Sequence, residues 1–465
     1  MHHSNKPFHG AKLDRREGLC YNMVSQHVGG FHMSRYDDLL KKIQNKQADI
    51  AVIGMGYIGL PTALFYTMQG LRVRGIDTNQ TLIDDLREGI ITILEEGLGD
   101  IAKDYLSKIE LSTSYDGIEE ADVFVLCLPS PVDENSKPVI RYLEHAIQDI
   151  AKLSKKGGLI LVESTVPVGT TEHLEKMFTD ISELQKDKDF WFAHCPERVL
   201  PGKVVEELHT NHRLAGGTSK SATELAVVFL STVFKPELVH ATSASVSEAA
   251  KLAENAFRDV NIAYANELAM LCTALSIDVS EVIELANLHP RVEILKPGLG
   301  VGGYCLPKDG WILVESARAR GGSAELIPAA RHVNDEMPGH VSKRIRDEVL
   351  NMADKATVGL LGLAFKENVS DTRNSPTVEL LQSLTSTDVD VVVYDPLVNE
   401  GYGAKQASSM DELIGDSDII VLCVGHEQII MELQESDLSE KVFVDPRNMM
   451  PGIRNRVKRY VGLSV

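Results

Sequence analysis

Residues 48–79, "ADIAVIGMGYIGLPTALFYTMQGLRVRGIDTN", restrict the fold of this chain more than any other stretch. The apolar run that ends at Gly54 and the run in "LRVRGID" have the length and β-branched content of strands buried on both faces. Between them Leu60, Leu64 and Met68 recur at helical spacing until Gly70 stops the helix. Strand, helix and strand in that order make a βαβ unit. Further apolar runs at 121–129, 158–165, 190–196 and 213–217, with helical stretches between them, extend it to a doubly wound α/β sheet ending near residue 242.

The pattern then changes. Residues 244–275 contain no Gly or Pro and carry apolar residues at helical spacing, which predicts one long helix buried on several sides. It is expected to cross between domains and to offer a dimer surface, with helical stretches at 280–288 and 311–321 packed around it. From Thr357 a second α/β pattern begins, with apolar runs at 357–365, 387–396, 417–425 and 441–448, and this predicts a smaller parallel sheet. The expected fold is therefore α/β: an N-terminal Rossmann-type sheet, a central long-helix region and a second, smaller Rossmann-like domain. Its divisions are 1–47 (extension and lead-in helix), 48–242, 243–352 and 353–465, with a cleft at the centre.

A chain of 465 residues has room for two or three domains. Its formal net charge of -20, without a dense basic run, argues against a nucleic-acid partner but allows an anionic small ligand in a local positive pocket. No apolar run is long enough to span a bilayer and no secretion signal opens the chain, so neither a membrane partner nor export is expected, and a cytoplasmic location is. The six cysteines are scattered without a CxxC pair, as in a reducing compartment, and argue against a disulfide framework or structural zinc. Cys127 and Cys423 lie in apolar runs and read as strand packing. His194, His209, His212, His289 and His332 form no ligand cluster, and no metal is expected. Residues 1–33 read as an extension, or as an overextended start with Met33 the functional one.

Two segments carry chemistry. Gly54, Gly56 and Gly59 form GxGxxG directly after a strand and at the opening of a helix, the context a dinucleotide fingerprint requires. Gly54 serves the tight turn, Gly56 the approach of backbone to a pyrophosphate, and Gly59 the packing of helix on strand. Asp77 ends the second strand, where a carboxylate accepts ribose hydroxyls and repels a 2′-phosphate, so NAD rather than NADP is expected. The second segment is "GVGGYCLPKDG", residues 300–310. Its glycines suit a loop that approaches a ligand closely. Lys308 and Asp309 follow Cys305 by three and four residues, and Arg291 and Lys296 upstream supply charge for an anionic substrate. A thiol beside a dinucleotide domain lets oxidation continue past an aldehyde, through a thiohemiacetal and a thioester.

The motifs "GMGYIGLP", "ESTVPVGTT", "CPERVLPGK", "KLAENAFRDVNIAYANELA", "HPRVEILKPGLGVGGYCLPKD" and "GLAFKENVSDTRNSP", in this order from about Asp49 onward, resemble the UDP-glucose/GDP-mannose dehydrogenase family. The resemblance implies a two-step, four-electron oxidation of a nucleotide sugar's C6 hydroxyl to a carboxylate, with two NAD consumed. It implies Cys305 as nucleophile, Lys251 and Asn255 as stabilisers of oxyanion charge, Asp309 as the acid bound to the catalytic water or lysine, and Glu197 with Thr165 in acid/base work and water positioning. It places Tyr57, Ile58, Pro129, Ser130, Ser164, Thr165 and Arg373 with the glycine loop around the cofactor. Glu197, Arg198, Val199, Lys251, Asn255, Lys296, Gly302, Gly303 and Lys366 fall around the substrate, and Arg447 on its pyrophosphate. Arg291 resembles an arginine inserted into a neighbouring subunit's site, which makes the active unit at least a homodimer.

"PERVLPGK", "HPRV" and "PGLGVGG" resemble the UDP-N-acetylhexosamine branch, UDP-N-acetyl-D-mannosamine first and UDP-N-acetylglucosamine second. Tyr304 and "PKDG" resemble the UDP-glucose branch instead, so the sugar stays open at this point. Outside the family, the alternative is a single-hydride enzyme of the 3-hydroxyacid dehydrogenase type, which needs no cysteine nucleophile.

Overall fold

The computed structural model describes residues 34–464 apart from 94, 135, 200, 201, 353, 354 and 388; the extension read at 1–33 lies outside them. After a helix at Arg35–Gln44, eight strands form the first sheet: β1 (Asp49–Ile53), β2 (Arg72–Ile76), β3 (Glu110–Ser112), β4 (Val123–Leu126), β5 (Leu159–Val162), β6 (Trp191–His194), β7 (Arg213–Gly217) and β8 (Val239–Ser243). They lie in the order β3-β2-β1-β4-β5-β6-β7-β8. All neighbours are parallel except β6 and β7, which run antiparallel. Alternation along β6 shows how both faces are covered. Trp191 and Ala193 enter the core on one side, and Phe190 and Phe192 enter the other beside Phe178. Each such buried aromatic contributes about 2–3 kcal/mol of transfer free energy.

The apolar runs locate β1, β2 and β4 to β7. They miss β3, three residues long, and β8, most of whose side chains are exposed or half-buried at the sheet edge. Neither buries enough to leave an apolar run.

The long helix spans Ala244–Leu275, and the helix Val279–Asn287 follows it. The next helix, Leu306–Arg318, starts five residues ahead of the expected 311. Pro307 in its first turn explains this, since a proline there lacks only an N–H that would be unpaired anyway. Leu326–Leu350, packed along the long helix, was not foreseen because Pro338 and Gly339 interrupt the pattern. Burial of Met337, Val341 and Ile345 outweighs the one backbone bond the proline removes.

The second sheet contains β9 (Thr357–Leu361), β10 (Asp390–Tyr394), β11 (Lys405–Gln406), β12 (Ile419–Leu422), β13 (Val442–Asp445) and β14 (Arg459–Gly462), all parallel in the order β11-β10-β9-β12-β13-β14. The four expected strands are β9, β10, β12 and β13; the additional two are edge strands. Among the described residues no helix is long and apolar enough to cross a membrane.

The two sheets share a device at the point where strand order reverses. In the first, Asp77 after β2 accepts the Met55 N–H of the glycine loop at 2.8 Å. In the second, Asp395 after β10 accepts the N–H groups of Leu363 (2.6 Å) and Ala364 (3.1 Å) in the loop after β9, and those of Leu397 and Val398 in its own loop. His426 closes the set at 3.1 Å. Burial works to raise the Asp395 carboxyl, but the His426 bond and the backbone donors prevail and hold it below the usual range. Such a group stabilises the fold above its unfolded pKa, about 3.9, and that stabilisation is lost as pH falls through the depressed folded value. Asp395→Asn should therefore cost about 3 kcal/mol near neutrality in urea unfolding, with the gap to wild type closing at acid pH.

Candidate active site

The glycine loop has the shape its sequence requires. Gly54 sits at φ +93°, and a Cβ there would meet the Cys127 carbonyl oxygen at 2.5 Å. A Cβ on Gly59, the first residue of the helix Gly59–Met68, would collide with the Gly54 carbonyl oxygen. Around Gly56 nothing lies within 4 Å of where a Cβ would be, which leaves the backbone open on the side a pyrophosphate needs. Asp77 accepts from Asn79 N–H at Oδ1 and from Met55 N–H at Oδ2, each oxygen keeping a lone pair for a ribose hydroxyl. The residues present thus fit a dinucleotide. Ser164 ties the neighbouring loop, accepting from Leu128 N–H at 3.0 Å and donating to Leu128 C=O at 2.7 Å, just ahead of the exposed Pro129 and the buried Ser130.

Across the cleft, Cys305 caps the helix Leu306–Arg318. Gly303, at φ +84°, donates its N–H to Arg373 C=O and accepts from Asn374 Nδ2, so the Gly302–Gly303 turn is fastened to the C-terminal domain. A Cβ on Gly302 would strike Asn374 C=O at 2.5 Å. Asp309, one helical turn past Cys305, is fully buried between Asn255 Nδ2 (2.6 Å) and Lys308 Nζ (2.9 Å). Asn255 stands one turn past Lys251 on the long helix, and Lys251 has no ion-pair partner among the described residues. The Lys308 ammonium and the Arg373 guanidinium both lie over the Tyr304 ring, at 4.9 and 5.1 Å. Cys305 is exposed to solvent. Protein crowding its other sides pushes the thiol above its ordinary value, and Asp309 adds to this; Lys308, Lys251 and Arg373 pull the other way.

A second group lines the end of β6. Glu197 is buried and ion-paired with Arg213 at 2.6 Å. Antiparallel pairing makes this possible: continuing the register that sets His194 across from Gly216 sets residue 197 across from residue 213. Glu163, at the end of β5, accepts from Tyr66 OH at 2.9 Å, and burial, then the Glu197 charge, pushes its carboxyl up to about 7 against the pull of Arg213. His194 joins this wall to the long helix. Its Nδ1 meets Ser247 Oγ at 2.9 Å and its Nε2 the Ser164 carbonyl at 3.3 Å, and burial holds it neutral, with its pKa down to about 3. Glu248 accepts from Gly169 N–H (2.6 Å), Thr171 N–H (2.8 Å) and Thr171 Oγ1 (2.6 Å), which anchors the loop after Thr165.

The fold thus gathers Cys305, Asp309, Asn255, Lys251 and Arg373, while His194 and Glu248 tie Ser164 and the loop after Thr165 to the same long helix. Arg198 is held by Glu254 (2.6 Å), Arg447 by Glu367 (2.5 Å), and Val199 packs on the N-terminal core. Lys366 faces Gly202. Arg291 and Lys296 are exposed, Arg291 touching His289 at 3.4 Å, and neither meets the cluster within the described chain. Asp309 reaches Asn255 and Lys308 rather than Lys251. The sequence reading assigned no role to Ser247, Glu248, Arg213, Glu163 or Glu95. Only Ser247 and Glu248 had a usable signal, lying four and three residues before Lys251.

Three profiles of one family match the chain in order: its NAD binding domain over residues 48–236, its central domain over 245–336 and its UDP binding domain over 359–452. The chain belongs to the UDP-glucose/GDP-mannose dehydrogenase family. With membership goes the activity, NAD-dependent dehydrogenation of a nucleotide sugar. The chain is 37% identical over 410 residues to UDP-N-acetyl-D-mannosamine dehydrogenase of Pyrococcus horikoshii, covering 86% of this chain and 96% of that one. It is 38% identical, over the same shares, to NDP-N-acetyl-D-galactosaminuronic acid dehydrogenase of Ralstonia nicotianae. The solved structure of UDP-D-ManNAc dehydrogenase from Pyrococcus horikoshii superposes with a TM-score of 0.82 at 35% identity, over 90% of this chain and 99% of that one.

The charges around Cys305 make a signed prediction. Alkylation by iodoacetamide, followed on the peptide containing Cys305, should rise with an apparent pKa above the usual thiol value of about 8.5. Asp309→Asn should lower that midpoint, and Lys308→Met should raise it further.

Proposed function

We propose that the enzyme oxidises the C6 hydroxyl of UDP-N-acetyl-D-mannosamine to the carboxylate in two successive two-electron steps at Cys305. The observation that carries this reading is the cluster of Cys305, Asp309, Asn255 and Lys251 at a cleft between two sheets of nucleotide-binding type. The sugar rests on the two relatives, both named for N-acetylated hexosamine derivatives. Tyr304 and the Lys308-Asp309 pair favour a second reading, UDP-glucose, because that branch shares them.

NAD, when bound, supplies the acceptor for each hydride. The glycine loop with Tyr57, Ile58 and Asp77 would hold it, together with Pro129, Ser130, Ser164 and Thr165 along the strand ends and Arg373 across the cleft. Lys366, Arg447, Lys296, Gly302, Gly303 and the segment from Glu197 through Arg198 to Val199 would hold the nucleotide sugar. In the first oxidation the hydroxyl proton passes to a water at the site and Lys251 stabilises the alkoxide charge. The Cys305 thiolate then bonds to the aldehyde carbon, and the oxygen of the resulting thiohemiacetal lies toward Lys251 and Asn255. A second oxidation converts this species to a thioester. A water held through Asp309 and Thr165, its proton taken by Glu197, breaks the carbon–sulfur bond, frees the thiol and releases the carboxylate.

The same reading makes the enzyme a homodimer. Phe257, Tyr264 and Leu271 recur every seven residues along the long helix and are 67%, 54% and 56% exposed, an apolar stripe suited to a second copy. Arg291 would then serve the partner's site.

Two NADH should form per UDP-N-acetyl-D-mannosamine consumed, with UDP-N-acetylglucosamine and UDP-glucose run in parallel, and Cys305→Ser should abolish sustained turnover. One NADH per sugar, or an active serine variant, would overturn the mechanism. Phe257→Glu combined with Leu271→Glu should give monomers by light scattering and, if Arg291 crosses between copies, lose most activity.

A further inference from the structure

One carboxylate outside the reacting cluster joins both ligand-binding loops. Glu95 lies in the irregular segment between the helices Gln80–Arg87 and Leu98–Tyr105. Its Oε1 accepts from the hydroxyl of Tyr57, in the glycine loop, and from Gly202 N–H at 2.8 Å; its Oε2 accepts from Val204 N–H at 3.2 Å. Gly202 and Val204 end the segment that starts at Glu197, Arg198 and Val199. The C-terminal domain faces the same point: Lys366 Nζ would lie 3.9 Å from a Cβ on Gly202, and the charge of Asp371 reaches Tyr57. Glu95 is therefore where the cofactor loop, the substrate segment and the second sheet domain converge.

We propose that Glu95 is a positioning residue that couples the two ligand sites: by gripping Tyr57 and the backbone of Gly202 and Val204 at once, it makes binding of the dinucleotide and of the nucleotide sugar mutually favourable. This rests on the reading of the two sites given above. A dinucleotide seated on the glycine loop orders Tyr57, and with it Glu95. Gly202 and Val204 are then already pinned when the sugar nucleotide binds beside Glu197, Arg198 and Val199, so less freedom remains to be lost. Linkage requires the reverse effect to be equal. Gly202 N–H also lies against the Tyr57 oxygen, so Glu95→Ala loosens the two loops, and Tyr57→Phe removes the carboxylate's hydroxyl donor and that direct contact as well, without touching Cys305, Asp309 or Lys251.

The test uses NADH, which cannot accept a hydride and so allows a stable ternary complex. NADH affinity is measured by its fluorescence with and without saturating UDP-N-acetyl-D-mannosamine, on wild type, Glu95→Ala, Glu95→Gln and Tyr57→Phe. In wild type the sugar nucleotide should tighten NADH by about tenfold. That ratio should fall in Glu95→Ala, fall to near one in Tyr57→Phe, and recover in part in Glu95→Gln, which keeps one acceptor. A wild-type ratio of one overturns the proposal. So does a Glu95→Ala variant that binds each ligand more weakly and melts lower but keeps the wild-type ratio, since that marks a purely structural role. Should Glu95→Ala fail to fold, an undiminished ratio in Tyr57→Phe and Glu95→Gln overturns it. Wild type that turns over the nucleotide sugar but shows no coupling leaves the functional reading standing. Wild type that binds neither ligand overturns that reading, and the coupling with it.

Discussion

Glu248 accepts three hydrogen bonds from Gly169 and Thr171, and it does so from the helical turn just before Lys251. Ser247 beside it holds His194, and Asn255 two turns on holds Asp309. From Ser247 to Asn255 is roughly 12 Å of helix. Within that length one rigid element fixes the loop after Thr165, the end of β6, a lysine at the cleft and the acid below the nucleophile. Loops placed independently would drift relative to one another; here their separations are set by helix geometry. The buried bonds of Asn266 and Asp259 to Asn334, and of Asp259 to Arg331, lock the helix Leu326–Leu350 to the same element further along.

Four cations assigned to the site are neutralised by the chain itself. Arg373 is gripped by Asp371, Arg447 by Glu367, Arg198 by Glu254 and Lys308 by Asp309. A chain with a formal net charge of -20 thus keeps these cations paired. Under the proposed function, a phosphate arriving at Arg447 or Arg373 would exchange one anionic partner for another, so the gain would lie in geometry and in the second charge rather than in meeting a bare cation. Lys251 has no such partner among the described residues, and in the proposed mechanism it stands where negative charge develops only during reaction.

The parts legible in sequence were those whose pattern repeats locally. The long helix is legible because 244–275 carries apolar residues at helical spacing with no Gly or Pro among them, and the glycine loop because strand, turn and helix succeed one another within a few residues. Edge strands β3, β8, β11 and β14 left little trace, since a strand half in solvent needs no apolar run. The helix around Pro338 was hidden because tertiary packing overrode a local breaker. In the site, Cys305 and Asp309 could be paired from spacing alone, four residues on one helix. Glu197 and Arg213 could not, because their meeting depends on a strand that turns back.

That reversal has a further effect. In a wholly parallel sheet only the ends of strands reach the cleft, and a strand's first residue lies at the opposite rim. By running backwards, β7 delivers its opening residue, Arg213, to the working side. Side chains alternate along a strand, so gain or loss of one residue between 213 and 216 would turn the guanidinium to the other layer and strand Glu197 without a counter-charge. The length of β7 is thus set by an electrostatic demand as well as by the sheet, and an insertion harmless to the fold would still disable an acid that lies outside the strand altogether.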